Sequence, residues 1–130
     1  MKAALSLIVV SMVTLAVAAG ATAGTDAPWR LFKRSAPAQA GELAYVGGIV
    51  RRPTALAVRA ISSTPETVAL QVVLSCRSRI KVRIARQQIS GHAPFTRPLR
   101  LPLAGADSCA VSATGTGTSG TLRIELLRAA

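Results

Sequence analysis

Four cations recur at every second position of this chain: Arg77, Arg79, Lys81 and Arg83. In a β-strand alternate side chains point to one side. Residues two apart lie about 6.6 Å from each other, so the four would make a stripe roughly 20 Å long. Arginine forks match the geometry of phosphate, sulfate and carboxylate, and such a stripe would bind anions. Arg59, Arg100 and Arg123 fall on outward phases of other alternating stretches and extend it. The plain alternative is a solvated face, because outward strand positions are ordinarily polar. Nucleic acid is a poor fit, since single-strand binders add aromatic platforms. Past residue 41 the chain offers Tyr45 and Phe95 alone.

Other chemistry is thin. His92 follows Gly91 and precedes Pro94, the setting of a turn. A Ser-His-Asp arrangement would need Asp26 or Asp107, and no G-x-S-x-G elbow marks a nucleophile. Glycoside chemistry needs two acids flanking a cleft, whereas the five acids are scattered. Gly115-Thr116-Gly117 lacks the lysine and the helix of a phosphate loop. Two cysteines and one histidine do not close a structural zinc site. The expectation is therefore no enzyme, no metal and no cofactor.

Cys76 and Cys109 are the two cysteines. Both sit on apolar phases, Cys76 after Leu74 and Cys109 before Val111. In an oxidising compartment an isolated pair is most simply one disulfide.

That compartment is argued from the start of the chain. Met1-Lys2 is a short positive region, Ala3 to Ala19 is apolar and uncharged, and Ala21-Thr22-Ala23 has the small-x-small pattern of a cleavage site. This layout is that of a secretory signal, and the apolar run is slightly short for the ~20 residues of a membrane span. Cleavage after Ala23 would release Gly24–Ala130 as a secreted, periplasmic or cell-envelope protein. Retention of residues 1–23 as an anchor is the rival reading.

The elements that would position these residues come from a rhythm of two. Thr67 to Ile84 alternates Val68, Leu70, Val72, Leu74, Cys76, Ser78, Ile80, Val82 and Ile84 against polar positions. One strand of that length would reach about 60 Å, so the chain must turn near Arg77–Arg79, with Ile80 to Ile84 continuing as a strand. Thr54 to Ser62 places Leu56, Val58 and Ala60 inward; Thr121 to Leu127 places Leu122, Ile124 and Leu126 inward. Glu42 to Val50 is a strand broken at Gly47-Gly48. Leu99, Leu101 and Leu103 alternate with Arg100 and Pro102 as an edge strand. Ser90 to Pro94 reads as a loop, and Thr114 to Gly120 as a hairpin loop.

Six or seven short strands without a helix predict an antiparallel β-sandwich, Ig-like in outline. The Cys…Trp…Cys order of true Ig domains is missing, since Trp29 precedes both cysteines. The division is 1–23 signal, 24–41 basic-aromatic segment and linker, and 42–130 sandwich. Trp29, Phe32, Lys33 and Arg34 belong to the middle part. They either dock as an edge strand or contact a membrane, where Trp and basic residues favour the interface.

Sixteen Lys and Arg against five Asp and Glu give a net charge of +11. Such a balance draws a protein to anionic partners and also keeps it soluble. The functional expectation is an exported noncatalytic sandwich binding an anionic polysaccharide, an envelope surface or a protein through its arginines. A membrane-active or defence protein using Trp29–Arg34 and a small secreted hydrolase are the alternatives.

Overall fold

The computed structural model describes residues 29–129; the expected signal and its cleavage site lie outside the described residues. Alternation produces eight strands: β1 (Trp29–Arg34), β2 (Leu43–Arg51), β3 (Leu56–Ser62), β4 (Glu66–Arg77), β5 (Val82–Ala93), β6 (Phe95–Leu99), β7 (Ser108–Thr116) and β8 (Leu122–Ala129). They form two four-stranded antiparallel sheets, β1-β8-β3-β6 and β2-β7-β4-β5. The sandwich is as the alternation predicts, with eight strands instead of six or seven.

Its connectivity is not that of an Ig domain. β1 pairs β8, β2 pairs β7, β3 pairs β6 and β4 pairs β5. The chain is thus one long antiparallel ribbon, folded at the β4–β5 link and rolled up. This is the jelly-roll arrangement, two Greek keys in two sheets.

The core is aliphatic. Val68, Leu70, Val72, Leu74 and Cys76 of β4 face Leu56, Val58 and Ala60 of β3 and Leu122, Ile124 and Leu126 of β8, all buried. The inward phases predicted for β3, β4 and β8 are those observed. Leu101, Leu103 and Ala106 pack on this core from the loop between β6 and β7. The predicted edge strand therefore ends at Leu99, and the later leucines serve as a cover. β6 does lie at an edge, where Pro98 costs no ladder bond to a further strand.

Both open sides of the sandwich are closed by specific contacts. On one side β1 pairs with β8, and a shift of register between Leu31 and Lys33 leaves Phe32 as the extra residue. Phe32 packs on the core. A Cβ on Gly48 of β2 would fall 3.2 Å from the Phe32 ring and 2.7 Å from Lys33 Cγ. β2 consequently runs unbroken through Gly47-Gly48, and the bare backbone at Gly48 makes room for the aromatic ring. On the other side Gln87 Nε2 of β5 donates to the Arg100 carbonyl (2.8 Å), and the Arg100 N–H donates to Gln87 Oε1 (3.3 Å).

Three other expectations need correction. The stretch read as a linker is tied down: the Ser35 N–H donates to the Ile124 carbonyl, and the Ile124 N–H donates to Ser35 Oγ. Ala38 bridges Leu122. Ser90 to His92 belong to β5, which continues to Ala93 before the chain crosses to the other sheet. The Gly-Thr stretch is a crossover between sheets and not a hairpin, because β7 and β8 lie in different sheets.

Cys76 lies opposite Cys109 on neighbouring strands β4 and β7, and the two are joined by a disulfide. The bridge spans 33 residues of sequence. A closed loop of that size stabilises by about 3.5–4 kcal/mol in the chain-entropy account. Replacing both cysteines by alanine should lower the unfolding free energy by about 3–4 kcal/mol. Urea denaturation of the two forms checks this, and equal midpoints would refute it.

Candidate functional site

The register of β4 with β5 decides where the cations go. Four residues, 78–81, link the strands, so an inward phase on even numbers in β4 becomes an inward phase on odd numbers in β5. Arg83 lies opposite Cys76, Ile84 opposite Ser75, and Val82 opposite Arg77. Arg77 is therefore outward, Arg83 takes the inward phase at the sheet edge, and Arg79 and Lys81 occupy the turn. The continuous one-faced stripe is not formed. Ile80, Val82 and Ile84, expected to continue the core, are 86%, 61% and 62% exposed.

The same register gathers cations at one end. Arg51 and Arg77 are both opposite Ser108 across β7. Arg52 follows directly, its N–H donated to the Asp107 carbonyl (2.8 Å), while the Asp107 N–H donates to the Arg77 carbonyl (2.8 Å). Arg52 has φ 50°, a left-handed conformation that costs a non-glycine residue about 1–2 kcal/mol. Arg51, Arg52, Arg77, Arg79, Lys81 and Arg83 are all exposed at this end.

The remaining predicted cations are elsewhere. Arg59 lies on the outer face of the first sheet, with Nη1 donating to Glu125 Oε1 (3.1 Å) and Nε to Thr96 Oγ1 (3.2 Å). Arg34 Nε donates to the other Glu125 oxygen (3.2 Å). Glu125 is outward as expected yet buried beneath these two guanidiniums. Arg123 lies opposite Ile61 on that face, its Nε buried without a partner among the described residues. Arg100 follows β6, exposed, beside β5. Trp29 is half-buried on β1, and Lys33 is exposed there.

The outer face of the second sheet carries small and polar residues between apolar borders. Leu43, Tyr45 and Ile49 border it on β2, and Ile84 and Val82 on β5. A shallow trough of about 330 Å³ lies among Tyr45, Gly47, Ile49, Val73, Ala110 and Ser112. The Tyr45 ring folds over Gly47, whose added Cβ would fall 2.6 Å from the phenol oxygen.

His92 is exposed on β5, its Nδ1 3.3 Å from Thr67 Oγ1. No cluster of three or more metal-ligating side chains occurs among the described residues.

Sequence reasoning missed Glu66. This buried carboxylate accepts the Thr118 N–H (2.7 Å) and hydroxyl (3.0 Å), the Ser119 N–H (3.2 Å) and the Gly120 N–H (3.0 Å). Ser62 Oγ donates a short hydrogen bond to it as well. The Ser62 hydroxyl first, and then the Thr118 backbone, hold its pKa down at about 2. A carboxylate so fully occupied latches the crossover from β7 to β8 and has no lone pair left for proton transfer. The signal was the Gly/Ser/Thr-rich run 114–120, whose backbone donors need an acceptor.

No family model and no curated protein matches the chain. Among solved structures the chain is similar to TmCBM61, described in complex with beta-1,4-galactotriose. The TM-score is 0.39 and the identity 12%, over 82% of this chain and 92% of that one.

A depressed folded pKa stabilises fully above the unfolded value and is lost as pH falls through the folded one. Glu66 should therefore add stability above about pH 4.5 and lose it as pH falls toward 2. A Glu66→Gln variant should be less stable at pH 7 and show a shallower decline between those values. Thermal melts across that range check this; parallel curves for both forms would refute it.

Proposed function

We propose that this chain is an exported, noncatalytic β-sandwich that binds an anionic surface through the cations at its β4–β5 end. One observation carries the reading: six exposed Arg and Lys side chains gather where β2 and β4 end and β5 begins. Arg52 adds weight, since it stands where glycine would be less strained. Arginine forks at such density suit phosphate, sulfate or carboxylate groups.

Noncatalytic action is supported by the state of the acids. Glu66 and Glu125 are buried and fully engaged, and Glu42 Oε1 accepts the Gln39 N–H. His92 is paired with a threonine and not a carboxylate, which weakens the hydrolase reading. Membrane action by Trp29–Arg34 would require β1 to leave β8, Phe32 to leave the core and Arg34 to leave Glu125. Export follows from the proposed signal in residues 1–23 and accords with the Cys76–Cys109 bridge.

The test is retention on immobilised heparin as a polyanion probe. Between 0.1 and 1 M salt the screening length shortens from about 10 Å to about 3 Å, and affinity should fall steeply over that range. Arg79→Gln with Lys81→Gln should weaken binding several-fold at low salt. Binding indifferent to salt, or unchanged in that variant, would overturn the electrostatic reading.

A further inference from the structure

We infer that the anionic surface is a lipid bilayer, entered by the tip of the β4–β5 hairpin. The inference rests on the anionic-surface reading and deepens it. Along the tip, cations and β-branched apolar residues alternate: Arg79, Ile80, Lys81, Val82, Arg83, Ile84. Ile80 stands almost wholly in water, and Val82 and Ile84 lie more than half exposed beside it. Leaving three such side chains wet is unfavourable. An anionic polysaccharide would engage the cations and gain little from the apolar groups. A second copy docking tip to tip would set like charges against each other. An anionic bilayer satisfies both sets, with cations level with the phosphates and apolar side chains sunk ~5–10 Å into the headgroup and acyl boundary.

The backbone of the tip is prepared for a less polar medium. The Ser78 N–H donates to the Lys81 carbonyl (2.8 Å), and Ser78 Oγ accepts the N–H groups of Ile80 (3.4 Å) and Lys81 (3.3 Å). Donors bonded within the turn are not stranded when water is removed. The base of the tip is firm, because Cys76, opposite Arg83, is bridged to Cys109 on the next strand.

The experiment uses protein recovered after export from a secreting host. Binding is measured to vesicles of equimolar phosphatidylcholine and phosphatidylglycerol, to phosphatidylcholine vesicles, and to heparin. The triple variant Ile80→Ser, Val82→Ser, Ile84→Ser keeps every charge and alters only exposed side chains. It should need at least about tenfold more anionic lipid for half-binding, with heparin retention unchanged. Ile80→Trp in a Trp29→Phe background should show a blue-shifted emission with anionic vesicles and none with neutral ones. Heparin binding without vesicle binding overturns the lipid inference and leaves the polyanion reading standing. Vesicle binding undiminished in the serine variant, or no blue shift, also overturns it. Binding to neither probe removes the anionic-surface reading itself.

Discussion

Val50, Cys109, Cys76 and Arg83 stand in one row across the four strands of the second sheet. The covalent bond at the centre of that row fixes how β4 and β7 are aligned. Side chains alternate between faces, so a slip of one residue would turn every inward group outward. With β4 and β7 locked, the neighbouring strands inherit their alignment. β2 then presents Ala44, Val46 and Val50 to the core, and β5 presents Ile89 and Ala93. What lies on the outer face, from Tyr45 to Ile84, is the complement of that choice.

Electrostatics divides the molecule in a related way. Two of its acids are consumed inside the structure. Glu66 gathers the loop after β7, and Glu125 holds Arg34 and Arg59 against the outer face of the first sheet. Cations near these carboxylates are neutralised locally. The six at the β4–β5 end are exposed to solvent and stand close together, so positive charge is densest there, although Arg30, Lys33, Arg86, Arg97 and Arg100 are exposed elsewhere. Net charge speaks first to solubility and association; its uneven distribution is what gives the molecule a preferred side.

The inward faces of β3, β4 and β8 were readable in the sequence because each is a long, uninterrupted alternation. Cys76 and Cys109 were readable because both stand in phase with such alternations. The phase of β5 was not. Ile80, Val82 and Ile84 look like a continuing core stripe, yet the even number of residues in the turn inverts the parity, and no Gly, Pro or Asn marks that turn. Gly47-Gly48 read as an interruption because the sequence does not show that Tyr45 and Phe32 occupy the space left free. Glu66 was hidden because most of its donors, those of Thr118, Ser119 and Gly120, lie more than fifty positions away. Pairing of β7 with β4 and of β8 with β3 is likewise a long-range choice, invisible to local turn signals.

The rolled ribbon has one further consequence. Of its four nested pairings only β4 with β5 joins strands adjacent in sequence; the others close progressively longer segments. Entropy charges each closure by the length of chain it encloses, so the kinetically cheapest encounter is the hairpin at residues 78–81. Assembly that starts there and zips outward would leave β1 for last. The segment carrying the exposed isoleucines would then be both the seed of the architecture and its outermost working part, so substitutions there would be read out in the rate of folding as well as in the affinity of the finished protein.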